Sequence, residues 1–422
     1  MNSNLRSRVV IHQILLSIKK DSLSYDMAFN KYSNYKDLSV VEKKFIHNTV
    51  LTSIRNNLVI KEIIYEYSNK KKINPDQYLI LLSGITQLIF LNIKEHAVIF
   101  SMVEISKNNK FKSEPSYINA ILRKVTINKS KLKQKNASYK SLPLWFRKNT
   151  EEWNDKTKVN FLSSIRHQPN LHIVFKDTNK LKKFNLKGIL TSSKSMIIKN
   201  HGKVNELPDY DSGNWWVQDY SAMLPISLFD NIDDKEVIDM CAAPGGKAFQ
   251  LLSKKIKKKL YEKNANRAKI LEENLKRLKF KTKINIDDAN NIDELKKFDI
   301  VILDSPCSAV GTIRRNPEIF FRDSVIDIDL YLSIQKKLLN KASRLVKKDG
   351  IILYMVCSFF KSETNKQINM FLKKNKNFSV DSFDIKKNKL INKKGFIKTI
   401  PQKIDNDFLI DGFFAAKLIR NE

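Results

Sequence analysis

Asp239-Met240-Cys241-Ala242-Ala243-Pro244-Gly245-Gly246-Lys247 follows the apolar pair Val237-Ile238 and precedes the helix-like run Ala248 to Leu252. Strand, tight small-residue turn and helix start thus come one after another. Glycines let backbone N–H groups approach a ligand closely, and a helix N-terminus favours a negative group. Pro244 removes one donor and stiffens the turn. The spacing GxxxxGK[ST] is absent, so the turn is not a P-loop.

Working outward, the strand–helix alternation continues. Ile256 to Tyr261 is a short run, Asn264 to Leu278 is helical, Ile300 to Leu303 is apolar, Leu330 to Leu345 is helical, and Ile351 to Val356 has a strand's length. Phe413, Phe414 and Leu418 supply a last strand. Alternating β and α units predict an α/β, Rossmann-like domain over 214–422, with a mostly parallel sheet covered on both faces. Upstream, 141–213 reads as a small α/β connector, with strands at Leu171 to Phe175 and Ser195 to Ile198 and turns at Gly188, Gly202, Pro208 and Gly213. The first 140 residues read as an all-α bundle. Val9, Val10, Ile14, Leu15 and Ile18 keep a 3.6-residue period, as do Phe45, Val50, Leu51 and Ile54. Tyr78 to Ile93 is the longest apolar stretch, and Ser83, Gly84, Thr86, Gln87 and Asn92 interrupt it, so it reads as a buried helix rather than a membrane span.

The chain of 422 residues carries 77 Lys+Arg against 44 Asp+Glu, a net charge of +33. Such a balance suits a polyanionic partner, because Lys and Arg displace counterions from phosphates. The bland alternative is coding bias, since 64 Lys stand against only 13 Arg. Three cysteines cannot build a disulfide framework, and no apolar leader with a cleavage site opens the chain, so a cytoplasmic protein is expected.

In open α/β sheets ligands sit at the carboxyl ends of the strands. That rule selects five places: the Cys241–Lys247 turn, Glu262, Asp288, Asp304-Ser305-Pro306-Cys307-Ser308, and Cys357-Ser358. An acid closing the second strand, Glu262, can accept from both hydroxyls of an adenosine ribose. Asp288 could accept from an adenine amino group, although Asp also favours turns. Zinc fits poorly: Cys241, Cys307 and Cys357 form no CxxC pair and have no His nearby. A lone cysteine is usually inert and buried. Two cysteines at strand ends beside a cofactor turn suggest covalent chemistry instead. Cytosine C5 is a weak nucleophile, and a thiolate adding to C6 turns it into an enamine-like carbon that can take an electrophilic methyl. Asp304 could hold the cytosine N3/N4 edge, and the base must be unstacked to enter such a pocket.

With these residues in place, the chain resembles the RNA cytosine-5 methyltransferases that use S-adenosylmethionine, and within them the bacterial enzymes of small-subunit (16S) ribosomal RNA. Trp216-Val217-Gln218-Asp219 with Ser221-Ala222, Asp239 to Lys247, Asp304 to Ser308, Arg314-Arg315-Asn316-Pro317, Tyr354 to Ser358 and Asp411-Gly412-Phe413-Phe414 match family motifs in order. His96-Ala97 and Ile118 to Arg123 are similar to the NusB-like RNA-binding domain that these enzymes carry. The resemblance implies that Cys241, Ala242, Ala243, Pro244, Gly245, Gly246, Lys247, Glu262, Asp288 and Asp304 line the S-adenosylmethionine site. It implies Cys357 as nucleophile and Cys307 as the residue that assists proton loss or product release, a distinction that spacing alone leaves open. It implies ribosomal RNA as partner and neither membrane nor metal; a monomer is the default. Family members commonly carry Ala at Ser305 and Thr at Val356. The same reaction on transfer RNA, or a non-catalytic RNA-binding ribosome-assembly factor, are the rival readings.

Overall fold

The computed structural model describes residues 3–33, 38–70, 72–108, 111–199, 201–229, 232–404 and 408–422. Their contacts fall into two units, Met1–Gln168 with Ile313–Ile326, and Pro169–Thr312 with Asp327–Glu422.

The first unit is helical. Its main helices are Ser3–Lys20, Tyr25–Ser33, Val40–Arg55, Asn57–Tyr67, Pro75–Ile85, Glu95–Ser106 and Pro115–Ile127. Local chemistry sets several starts. Ser39 and Glu42 form a reciprocal capping box, Asn74 accepts from the Gln77 N–H, and Pro75 and Pro115 occupy first-turn positions. The apolar stripe predicted from Val10 to Ile18 lies in one core with Ile60, Leu79, Leu82, Leu88 and Leu122. The buried stretch after Tyr78 is helical, but it changes to a π turn at Thr86–Phe90. Ile313–Ile326 belongs to this unit, although it lies in the chain within the α/β half: Phe321 joins the helical core, and the Asp323 N–H donates to the Lys19 carbonyl at 2.9 Å.

The second unit holds two principal sheets. A four-stranded antiparallel sheet has the order β2-β3-β1-β4, with β1 Leu171–Phe175, β2 Gly188–Ser192, β3 Ser195–Ile198 and β4 Trp215–Val217. The larger sheet comprises β5 Glu236–Asp239, β6 Lys257–Tyr261, β7 Ile284–Asn285, β8 Phe298–Asp304, β9 Val346–Val356, β10 Phe378–Asp381, β11 Ile397–Thr399 and β14 Phe413–Arg420; β12 Gln402–Ile404 and β13 Phe408–Ile410 pair separately. The order is β10-β14-β9-β8-β5-β6-β7, with β11 also on β14. Strands β7, β6, β5, β8 and β9 run parallel, while β14 returns antiparallel beside β9. The protein therefore has the expected architecture, a helical N-terminal region followed by an α/β domain with a mostly parallel sheet.

Burial on both faces explains the apolar runs. Val301 and Leu303 of β8, with Ile352, Tyr354 and Val356 of β9, pack with Leu338, Leu345, Ile368 and Phe371 from helices Ile328–Leu345 and Asn365–Lys374. The alternate residues Ile300, Ile302, Leu353 and Met355 pack on the other face with Leu224, Ile226 and Leu251. Register then aligns the strand ends: Asp239 pairs with Leu260 and with Ile302, and Asp304 pairs with Met355. Glu262, Asp239, Asp304 and Cys357 consequently emerge side by side along one carboxyl edge.

Candidate active site

The turn after β5 is shaped by its small residues. The Ala243–Pro244 peptide is cis, and Gly245 has φ +118°. A Cβ on Gly245 would lie 2.1 Å from the Phe249 ring, so this residue must be glycine both for conformation and for space. Phe249 is fixed in turn against Trp216, whose indole N–H donates to Gln218 Oε1 at 2.9 Å.

Carboxylates surround this turn. Asp239 is buried, and its Oδ1 accepts from the Cys241 N–H at 3.2 Å. Burial, followed by the neighbouring Asp304 carboxylate, pushes its pKa up to about 7. Glu262 is also buried; it accepts from the Ala243 N–H at 3.3 Å and the Asn264 N–H at 2.9 Å, and Arg267 lies 3.6 Å away. Arg267 also donates to the Ala243 carbonyl, so one guanidinium ties the turn to the end of β6. Lys247 reaches across to Asp304 at 2.7 Å and lies over the Phe413 ring at 5.0 Å. Burial works to lower the Lys247 pKa, but Asp304 and then negative charge on Cys357 and Asp239 hold it above the ordinary lysine value.

Asp288 follows β7 and joins the group through Lys263, the residue after Glu262. Its carboxylate accepts from Lys263 at 2.7 Å and from the Asn290 N–H at 2.9 Å, and those bonds, the lysine's first, lower its pKa. In this geometry Asp288 also caps the short helical turn Ala289–Asn291, the conformational part an Asp plays in many turns.

The other two strand ends bring the cysteines together. Cys307 and Cys357 are free thiols with their sulfurs 3.3 Å apart. The Gly311 N–H donates to the Cys357 carbonyl at 3.0 Å, and the Gly412 N–H to the Gly311 carbonyl at 2.9 Å. A hydrogen bond to Cys357, burial, and the charges of Cys357 and Glu363 push the Cys307 thiol well above the ordinary range. Cys241 is pushed up chiefly by burial, then by Asp239, which fits an inert thiol in the turn.

The structure therefore brings Cys241 to Lys247, Glu262, Asp304, Cys307 and Cys357 to one edge, with Asp288 at its margin. Two contributors went unread in the sequence, Arg267 and Glu363. Arg267 sits five residues past Glu262 in a lysine-rich stretch, where nothing local distinguishes it. Among the described residues no group of three or more His, Cys, Asp or Glu is arranged to hold a metal ion, and no helix is long and apolar enough to cross a membrane.

Comparison with known proteins agrees with this architecture. Residues 226–419 match the family of 16S rRNA methyltransferases RsmB/F, and residues 5–126 match the NusB family. The chain is 27% identical over 361 residues to the ribosomal RNA small subunit methyltransferase B of Yersinia enterocolitica, covering 81% of this chain and 82% of that one. It is 25% identical over 396 residues to the probable ribosomal RNA small subunit methyltransferase B of Coxiella burnetii, covering 88% and 90%. In fold it is similar to the crystal structure of PH0851, with TM-score 0.71, 20% identity and 99% of both chains covered. It also shares a fold with NSun6 from Pyrococcus horikoshii, with TM-score 0.56, 17% identity, 66% of this chain and 98% of that one.

Proposed function

We propose that this chain, whose residues 226–419 match the 16S rRNA methyltransferase RsmB/F family and whose residues 5–126 match the NusB family, methylates cytosine C5 in small-subunit ribosomal RNA through a covalent cysteine adduct. The observation that carries the reading is the pair of free thiols, Cys307 and Cys357, 3.3 Å apart beside the carboxylate-lined turn.

The protein is an S-adenosylmethionine-dependent methyltransferase, and the residues at the edge fit that cofactor. Burial, then the neighbouring Asp304 and Glu262 carboxylates, push the Asp239 pKa up to about 7, so a proton is shared in this cluster near neutrality. A cationic sulfonium relieves the repulsion among these carboxylates, and the free lone pairs of Glu262 suit ribose hydroxyls. We assign Cys241 to Lys247, Glu262, Asp288 and Asp304 to this site. S-adenosylmethionine supplies an electrophilic methyl group on sulfur.

Everything else falls to the protein. Cys357 forms a bond to cytosine C6, and the displaced electron pair moves to C5. Lys247, an ammonium beside the sulfur, favours the negative charge this attack requires. Asp304 holds the N3/N4 edge. After C5 has gained its methyl, the C5 proton passes to solvent water, which returns the electron pair and expels Cys357 as a thiolate. Cys307 assists this departure. The NusB family region binds the RNA.

Methyl-labelled S-adenosylmethionine and deproteinised small-subunit rRNA test this reading. The expected product is labelled 5-methylcytidine, absent with Cys357→Ala and replaced by a slow-migrating enzyme–RNA band with Cys307→Ala on a denaturing gel. Label in another nucleoside, or normal cytosine methylation by Cys357→Ala, overturns it.

A further inference from the structure

Glu363 lies six residues past Cys357 in the chain, and its side chain is fully buried. A carboxylate so placed would ordinarily need a cation. Among the described residues no lysine or arginine pairs with it, and its partners are uncharged donors. Ser308 gives its N–H to Oε1 at 2.8 Å and its hydroxyl to Oε2 at 2.5 Å. The Ser358 hydroxyl reaches Oε2 at 2.6 Å, and Gln335 Nε2 reaches Oε1 at 3.0 Å. Gln335 is itself held by the Pro306 carbonyl at 3.1 Å and by the Tyr354 hydroxyl, which also donates to the Glu363 carbonyl at 2.8 Å. Both carboxylate oxygens are satisfied, as a buried network requires.

The location of these donors matters more than their number. Ser308 adjoins Cys307 and Ser358 adjoins Cys357. One carboxylate thus pins the loop after β8 to the loop after β9, on which the 3.3 Å approach of the sulfurs depends. The charges around the sulfurs are also unequal. Cys307 is faced by Cys357, Glu363 and Tyr354, whereas the Lys247 ammonium acts on Cys357.

We infer that Glu363 is a positioning residue that sets the polarity of the cysteine pair, fixing the two loops in contact and keeping Cys307 as the S–H donor to the Cys357 sulfur. This rests on the cytosine-5 reading for its purpose: when the C6–S bond breaks, the electron pair stays on Cys357, and the Cys307 S–H hydrogen-bonds that thiolate without transferring its proton. Glu363 supplies part of the negative field at Cys307, which with the hydrogen bond to Cys357, burial and the charge of Cys357 holds the Cys307 proton.

Alkylation by iodoacetamide, followed at each cysteine by mass spectrometry from pH 6 to 10 on the full chain, tests the inference without RNA or cofactor. In the wild type Cys357 reacts first and Cys307 lags until alkaline pH. Glu363→Gln removes the charge and keeps the shape, so the Cys307 midpoint should move to lower pH, raising its rate relative to that of Cys357 by about tenfold at pH values below that midpoint. An equal rise at both cysteines would report only easier access, and that result, or an unchanged Cys307-to-Cys357 rate ratio in the folded variant, overturns the assignment. Should Glu363→Gln fail to fold, the double variant Ser308→Ala/Ser358→Ala keeps the charge but cuts both hydroxyl ties. Diamide should then join Cys307 to Cys357 roughly tenfold more slowly than in the wild type, since disulfide geometry is exacting; an equal rate overturns the inference. Neither measurement depends on which base is methylated, so a failed methylation assay leaves them standing and their failure leaves that assay standing.

Discussion

At the scale of single residues, Asp239 is the group whose chemistry is most open to measurement. Its pKa is pushed up to about 7 by burial and by Asp304. The sign of the consequence is definite. The folded, ligand-free protein holds this proton more tightly than the unfolded chain, so the group's contribution to stability declines as pH rises toward 7. A cation bound nearby favours the ionised form and so releases the proton. Affinity for S-adenosylmethionine should therefore rise between pH 5 and pH 8 by roughly tenfold, levelling above about 7. Asp239→Asn should bind with a flatter profile. Calorimetric titrations at several pH values compare the two, and parallel curves would dismiss the role given to Asp239. Much at this scale was legible in the chain. Asp239, Asp304 and Cys357 each close a run of apolar residues, and a parallel sheet delivers such ends to one edge. Glu363 was not legible, because Ser308, its main partner, lies 55 residues upstream and only the tertiary fold joins them.

Among the elements, the turn from β5 into helix Gly246–Leu252 is the most tightly constrained. Gly245 combines φ +118° with no room for a Cβ beside Phe249. Gly245→Ala should shift the turn or the ring, destabilise the protein by about 1–3 kcal/mol, and weaken S-adenosylmethionine binding by at least tenfold. Thermal melts with binding titrations check both, and unaltered binding would detach the turn from the cofactor. The glycines and alanines made this element readable, since few other structures need that string. Strand β6 was harder. Lys257-Lys258-Lys259-Leu260-Tyr261 is too basic for a buried strand, and the strand it forms is largely half-exposed. Of these five only Leu260 is fully buried, and Lys259 carries its ammonium out to Glu294. Long lysine stems can cover a sheet while their charges remain wet. The π turn at Thr86–Phe90 left no mark in the apolar pattern, because a single widened turn does not alter which residues are apolar.

For the molecule as a whole, the charge of +33 could be read directly, but its use could not. Lysine outnumbers arginine 64 to 13, and lysine meets phosphate as a point charge rather than through a planar fork. Such a surface gathers RNA without reading its bases. The return of Ile313–Ile326 to the helical unit was equally hidden, since it rests on tertiary partners such as the buried Arg314, which donates to the Gln168 carbonyl at 2.9 Å. Long-range attraction and the pocket at the sheet edge should respond differently to salt. Exposed charges are screened beyond about 10 Å at 0.1 M ionic strength, while partly buried pairs such as Lys247 and Asp304 are screened far less. Raising salt from about 50 to 200 mM should weaken binding to small-subunit rRNA by tenfold or more through counterion uptake. The affinity for S-adenosylmethionine should change by less than about twofold over the same range. Filter binding for the RNA and calorimetry for the cofactor make the comparison. RNA binding indifferent to salt would mean that the basic surface reflects coding bias alone. Equal losses for both ligands would mean that salt acts on the fold or on the carboxylate cluster instead of on the phosphate contacts.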